Sequence, residues 1–473
     1  MENKNAELDM LRDKIRVVTI QIMQDVQHRL ELAKNIGEVK SRLGIDIKDE
    51  KVENEIRKNV TLLAKEIGMS TEFAMQLVNV LLAESERVQV QKNTQKTVEK
   101  QTHLSIFSKA KQLEASGRKM IHMEVGEPDY SPPARVGTAL VNSFNMKYYH
   151  YTDTPGIPKL REAIAAKEGG RIGSDQVIVT PGGRFAVFSA ISSLLRAGQE
   201  LIVIEPAWPA YKECADFVGA RINVLRTTLE DKWIPDTKQL QEMINSSTKM
   251  IVLNYPNNPT GKVLDNKTMQ NIILIAKDHG LYLLSDEVYA DYVFGEFSSV
   301  RDYNYDKSIL VGSFSKRYAM TGFRVGYGIA NKDIISKMAR VQAVAVTSVA
   351  EPMQRAALVA LEEDPTENIK LMKSRLDFVC NKLKQMSLRY VHPDGAMYAY
   401  PELPKGDDLT LVEKLLDKGV AIAPGTGFGN SYKRFVRISA CQPEEMLEKG
   451  LDLMASVIRE QEYFAASRYS RSR

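Results

Sequence analysis

The run GSFSKRYAMTGFRVGY, residues 312–327, sets Lys316 directly after a hydrophobic stretch, among small residues, with Arg324 eight positions on. Lysine is rarely buried, and an amine at a strand end amid Ser and Gly suits Schiff-base chemistry with a carbonyl. By itself such a lysine reads more readily as a solvated loop residue. Other segments add to it. LYLLSDE ends in Asp286, with Tyr289 three residues later, so an anion and a phenol reach one rim. NYPNNPTG (254–261) offers Asn258 at a sharp turn. TPGGRFAV (180–187) reads as strand, glycine pair and helix start, which turns backbone N–H groups toward a phosphate.

The elements that position these groups are short β-branched runs: QVIVT (176–180), ELIVIEP (200–206), MIVLNYP (250–256), LYLLSDE (281–287) and SILVGSF (308–314). They alternate with helical segments, the sign of a mostly parallel sheet covered on both faces. In such a sheet the C-terminal ends of the strands face one crevice, where ligands bind. From about residue 335 the chain is first helical and then returns to short strands, as a smaller C-terminal α/β subdomain does.

On SFSKRYAMTGFRVGY, YPNNPTG and SDEVY, residues 103–460 resemble the class I, fold-type I aminotransferases. The resemblance implies pyridoxal 5′-phosphate, joined to Lys316, which then acts as base and acid in a 1,3-proton shift. It implies that Asp286 pairs with the pyridine nitrogen and that Tyr289 and Asn258 hold the ring oxygen. Gly183 and Arg184 cradle the phosphate through backbone amides, helped by Ser313 and Arg324. Trp208, in EPAWPAY, stacks on the ring, and Tyr151, in YTDTPGIPKLREAI, reaches the neighbouring subunit's phosphate, which implies an obligate dimer. Gly126 in MEVGEPD and Arg437 in RFVRIS grip the substrate α-carboxylate. One departure is Arg184, where the family often carries Ser, Thr or Lys, so a hydroxyl contact to phosphate is lost. No residue stands out for the substrate's distal group.

Residues 1–92 have a different grammar, with helical periods over about 5–43, 49–67 and 70–91 and no strand signal. Gly44 and the pair Gly68-Met69 punctuate them, Ser70 or Thr71 caps the third, and residues 93–102 read as a linker before the domain of 103–473. In the first helix Leu8, Leu11, Ile15, Val18 and Ile22 lay down an apolar stripe. Continuing the heptad reaches Asp25, Arg29, Leu32, Ile36 and Val39, so a guanidinium sits where the pattern asks for a hydrophobe. Lys40 lies within roughly 20° of Arg29 around the axis and about 16 Å along it. Arg12 is roughly 100° off that line, so a shared pocket would take it from another copy. Ser85 with Gln89, and Asp49 with Glu53, are i,i+4 pairs. Spacing alone also fits a dimerisation hairpin with surface charges, Asp25 pairing Arg29.

The ordered set LDMLRDKI, HRLELAKNIGEVK and ESERVQ, within residues 5–91, resembles the all-helical chorismate mutases. The resemblance implies that Arg29 and the partner subunit's Arg12 bind the two carboxylates of chorismate. Lys40 and Gln89 donate to the ether oxygen, Asp49 and Glu53 take the ring hydroxyl, and Ser85 supports a carboxylate. That rearrangement is unimolecular and pericyclic, so it needs restraint and electrostatics but no nucleophile or base. The departure is Val52, where many relatives have arginine.

The 473-residue chain, 44% hydrophobic and 26% charged, is long enough for several globular domains. A net charge of +4 speaks for no nucleic-acid or membrane partner. Cys214, Cys380 and Cys441 form no metal-ligand cluster, and the expected location is the cytoplasm. The expectation is therefore a multidomain, homodimeric, bifunctional enzyme of aromatic amino-acid biosynthesis. It would make prephenate from chorismate and transaminate a 2-oxo acid such as prephenate, an arylpyruvate or oxaloacetate. Two alternatives remain: a non-catalytic dimerisation or effector-binding helical domain, and a transcription regulator with a DNA-binding N-terminus. The 15 Lys+Arg against 16 Asp+Glu over residues 1–92 oppose the latter.

Overall fold

The computed structural model describes residues 2–43, 49–93, 103–168 and 172–470. The Gly44 punctuation and the expected linker beyond Asn93 lie outside the described residues. The chain divides into two compact units, Met1–Glu99 and Lys100–Arg473.

The first unit is three helices: α1 (Glu2–Leu43), α2 (Glu50–Glu66) and α3 (Thr71–Asn93). Asp49 caps α2 by accepting from Val52 N at 3.2 Å. Gly68, at φ +70°, ends the turn after it, and Met69 N closes back on Ala64 O at 2.9 Å. Both α1 and α2 pack on α3, around a small buried set of Ala33, Ala64, Ala74, Val78 and Leu82.

The heptad on α1 does not face this core. Leu8, Leu11, Ile15, Val18, Ile22, Leu32, Ile36 and Val39 are all exposed. The residues turned to α3 are Ala33 and Gly37, with Arg29, Leu30 and Lys40 half-buried beside them. Small side chains let two helix backbones approach closely, and Gly37 sits against Gln89 of α3, where an added Cβ would come within 3.0 Å of it. The expectation of Arg29 inside a buried apolar seam is thus corrected: it lies on the polar flank between the α3 contact and an uncovered apolar stripe.

The second unit holds strands β1 (Ile121–Met123), β2 (Val177–Thr180), β3 (Glu200–Glu205), β4 (Arg221–Arg226), β5 (Thr248–Asn254) and β6 (Tyr282–Asp286). β7 (Ser308–Ser313), β8 (Gly326–Ile329), β9 (Tyr398–Ala399), β10 (Val420–Pro424) and β11 (Val436–Ser439) follow. The large sheet runs β2-β8-β7-β6-β5-β3-β4, with β8 antiparallel to both neighbours and the pairs from β7 to β4 parallel. Its apolar strands are buried on both faces. Val203, Val252, Leu284 and Ile309 pack under the helices Gly183–Leu194 and Lys332–Val346. Ile202, Ile251 and Leu283 pack against Leu160, Ile164 and Ile272 on the opposite side.

A second sheet, β1-β10-β11-β9, has its own core with Met372, Leu411, Leu447 and Leu451. The smaller subdomain is therefore not drawn from the C-terminal part alone. β1 pairs with β10, Ile106 and Ala110 join its core, and the helix at 332–346 belongs to the large sheet.

Candidate active sites

In the second unit the strand ends converge on one cavity of about 270 Å³. Its lining includes Gly126, Gly183, Arg184, Trp208, Asn258, Asp286, Tyr289, Ser313, Lys316, Arg324 and Arg437, every site residue expected there except Tyr151. Tyr151 is 91% exposed and outside the cavity.

Asp286 closes β6 at the cavity floor. It accepts from Tyr211 Oη at 2.6 Å, and burial pushes its carboxyl up to about 6 although that bond and the Val288 N–H pull it down. Asn254 ties the neighbouring strand end to it, donating from Nδ2 to Asp286 O at 3.1 Å, and its Oδ1 accepts from Asn258 N at 3.0 Å. The Tyr289 hydroxyl lies 2.7 Å from that of Tyr398, and burial keeps the phenol protonated. Lys316, just after β7, donates to Gly126 O, and enclosure by protein lowers its pKa.

Gly182, at φ +80°, turns the chain into the helix that begins at Gly183, leaving that helix's first N–H groups at the cavity. Arg324, in the left-handed region, lies beside it: a Cβ on Gly182 would meet Arg324 Nη2 at 2.5 Å. Ser313 caps the short helix carrying Lys316. The Arg184 guanidinium stacks over Trp208 at 4.4 Å and lies 3.7 Å from Glu213. Arg437 is 2% exposed, held by Asn258 Oδ1 at 2.8 Å and by Glu124 O, with its guanidinium 4.3 Å over the Tyr398 ring. Its Nε is buried without a partner among the described residues.

A planar, phosphate-bearing pyridine fits these groups. The buried Asp286 carboxylate has no ion-pair partner among the described residues, amides and Arg324 lie together, and the Lys316 amine lines the same cavity. The sequence reading missed Tyr211, Asn254 and Tyr398. Tyr211 and Asn254 stand inside motifs already singled out, EPAWPAY and NYPNNPTG, whereas Tyr398 follows no local signal.

In the first unit Arg29 donates to Leu81 O at 2.8 Å and to Ser85 Oγ, while Asp25 accepts from Gln21, so the Arg29–Asp25 pairing is not formed. Partial burial lowers the Arg29 pKa. Gln89 is buried one turn further along α3, with its Oε1 unpartnered among the described residues. Lys40 is half-buried on the same side of α1. Glu53 is buried and bonded at 2.9 Å to Arg57, a residue the sequence reading overlooked. Asp49 is exposed and engaged as a cap. Arg12 is exposed, paired with Asp9 at 3.1 Å, and about 25 Å along α1 from Arg29.

Comparison with known proteins gives two family matches. "Aminotransferase class I and II" covers residues 118–453, and "Chorismate mutase type II" covers residues 11–90. An aspartate aminotransferase of Thermotoga maritima is 35% identical over 74% of this chain and 94% of its own. An aspartate/prephenate aminotransferase of Thermus thermophilus is 32% identical over 75% of this chain and 95% of its own. The structure of Thermus thermophilus aspartate aminotransferase with maleate superposes with a TM-score of 0.73 at 32% identity, covering 75% of this chain and 96% of that one. Among the described residues no helix is long and apolar enough to cross a membrane.

Proposed function

Because the chain belongs to the class I and II aminotransferases, which are pyridoxal 5′-phosphate enzymes, and carries a type II chorismate mutase domain, we propose that it performs two consecutive steps. The first unit rearranges chorismate to prephenate. The second transfers an amino group to a 2-oxo acid that carries a second carboxylate, prephenate or oxaloacetate. The observation that carries the aminotransferase assignment is the single cavity joining Lys316, Asp286, Arg324 and Arg437.

The cofactor, when bound, supplies an electron sink for the carbanion at the substrate Cα. Asp286 holds the proton on the ring nitrogen, and the desolvation that raises its pKa strengthens its attraction for a cation. Asn258 and Tyr289 orient the ring through its oxygen. Lys316 Nζ would take up the proton leaving the substrate Cα and hold it for return, and its lowered pKa keeps more of it neutral for that work. Arg437, on the cavity wall, grips the α-carboxylate. The Arg184 guanidinium, as distinct from its phosphate-facing backbone amide, has no phosphate or α-carboxylate role, and stacking on Trp208 with Glu213 3.7 Å away places it for a distal carboxylate.

In the first unit Arg29 anchors one carboxylate and a second copy supplies Arg12, so the enzyme is a homodimer with shared sites. Gln89 and Lys40 donate to the ether oxygen as the C–O bond breaks. A non-catalytic effector module is the competing reading, supported by Val52, which is 49% exposed and brings no charge.

One experiment separates them. Purified protein is given chorismate, and loss of its ultraviolet absorbance is followed with and without Arg29→Ala. Glutamate or aspartate is then added, and amino-acid product is measured from prephenate, oxaloacetate and phenylpyruvate. Absence of chorismate turnover by the wild type favours the effector module. Preference for phenylpyruvate over both dicarboxylates overturns the substrate assignment.

A further inference from the structure

Two basic side chains central to the aminotransferase cavity are held by one short stretch of backbone. Arg437 Nη2 donates to Glu124 O and Lys316 Nζ donates to Gly126 O, so the three residues 124–126 tether both. This stretch follows β1 and has left regular strand pairing, which ends at Met123↔Ile422. Something other than a ladder must fix it.

The fixture is a buried side-chain pair. The Glu124 side chain is fully buried, and its Oε1 lies 2.7 Å from His122 Nδ1. Among the described residues its Oε2 is buried with no partner, and His122 is the side chain that hydrogen-bonds the Glu124 carboxylate. On its other side His122 Nε2 lies 3.0 Å from Glu114 Oε1 of the helix His103–Ala115, close enough for an ion pair but without hydrogen-bond geometry, and the Phe107 ring centroid is 6.2 Å away. Lys111, on that helix, pairs with Glu114 at 2.8 Å. The Glu124 contact raises the imidazole pKa against the opposing effect of burial, and a charged imidazole compensates the buried carboxylate. A structural core would not ordinarily bury a half-satisfied carboxylate where an apolar side chain would fill the space. The pair sits on the backbone segment whose carbonyls accept from Arg437 and Lys316.

We propose that His122 and Glu124 are positioning residues of the aminotransferase site, aligning Arg437 for the substrate carboxylate through the Glu124 carbonyl. The proposal rests on the reading of Arg437 as the carboxylate-binding residue. Neither side chain lines the cavity, so both act through another group.

The test compares His122→Leu, which removes the donor, with His122→Gln, which restores one, in the cofactor-loaded full chain. His122→Leu is expected to raise KM for the amino-acid substrate about tenfold, the loss of one hydrogen bond to a charged group, with kcat changed far less. His122→Gln is expected to bring KM back to within about threefold of wild type. An unchanged KM in a His122→Leu variant that keeps its visible cofactor band overturns the proposal. So does a His122→Gln variant as impaired as His122→Leu. If the buried carboxylate prevents His122→Leu from folding, His122→Leu/Glu124→Leu removes the charge along with its partner. The same rise in KM supports the proposal there and a normal KM overturns it. Arg437→Leu, run alongside, isolates the premise: a normal KM in that variant refutes the reading of Arg437 itself.

Discussion

The Tyr211 hydroxyl donates to Asp286 Oδ2 at 2.6 Å, and both side chains are buried. Tyr211 lies on the helix Ala210–Phe217 and Asp286 at the end of β6, so the contact joins two segments 75 residues apart. It is one of the few favourable contacts of a carboxylate that burial holds at a pKa of about 6. Two consequences follow for the cofactor-free and cofactor-loaded protein.

The first concerns pH. A carboxyl whose folded pKa exceeds its unfolded value favours the neutral form, so the fold is most stable below the unfolded pKa and loses stability as pH rises toward the folded one. For Asp286 that window runs from 3.8 to about 6. Asp286→Asn removes the charge and keeps an oxygen for Tyr211. Cofactor-free Asp286→Asn should therefore be more stable than wild type at pH 8, by about 3 kcal/mol, with the advantage vanishing below pH 4. Urea denaturation at the two pH values measures it, and an Asn variant less stable at pH 8 would sink the account.

The second concerns cofactor affinity. Tyr211→Phe removes the bond that orients Asp286 and lowers its pKa, so less of the carboxyl is ionised and aligned to pair with the ring-nitrogen proton. The dissociation constant for pyridoxal 5′-phosphate, measured by fluorescence titration, should rise about tenfold or more. An unaltered constant would show that Tyr211 is packing alone.

Gly37 offers a cleaner separation of the two activities. Alanine improves helix propensity by about 1 kcal/mol, yet its Cβ would stand 3.0 Å from three atoms of Gln89. Crowding wins where the neighbour is backbone, and relieving it means moving α1 from α3 and Gln89 with it, at roughly 1–3 kcal/mol. Gly37→Ala should cut chorismate turnover about tenfold or more and leave transamination as in wild type. Wild-type turnover would mean that Gln89 position does not matter to the first reaction.

Much of the aminotransferase cavity was legible because its residues sit at strand ends inside short motifs, and a parallel sheet sends those ends to one side. Lys316, Asp286, Asn258 and Gly183 need only local sequence plus that rule. Tyr398 and the His122–Glu124 pair were not legible, since they come from the small sheet and meet the site through tertiary packing. The α1 helix shows the opposite failure. Its heptad was read correctly as apolar, but periodicity does not say which partner an apolar face meets. The contact with α3 is made instead by Ala33 and Gly37, residues too small to register in a hydrophobic pattern.

That uncovered stripe leads to the last prediction. Leu11, Ile15, Val18 and Ile22 are 48%, 68%, 58% and 52% exposed, while among the described residues the first unit buries few large hydrophobes of its own. An apolar face of this length on a three-helix unit with so small a core calls for a second copy. The same copy would bring Arg12 to a site that its own chain's Arg12, about 25 Å along α1 from Arg29, does not reach. Ile15→Asp/Val18→Asp sets carboxylates into that face without touching any residue assigned to either reaction. Burying an unpaired charge there costs about 3–5 kcal/mol, so chorismate turnover should fall about 100-fold or more and recover in part at high protein concentration. Transamination should stay within about twofold of wild type, because the second unit has its own core. Full chorismate turnover by this variant at nanomolar concentration would rule out a site shared between two copies of α1.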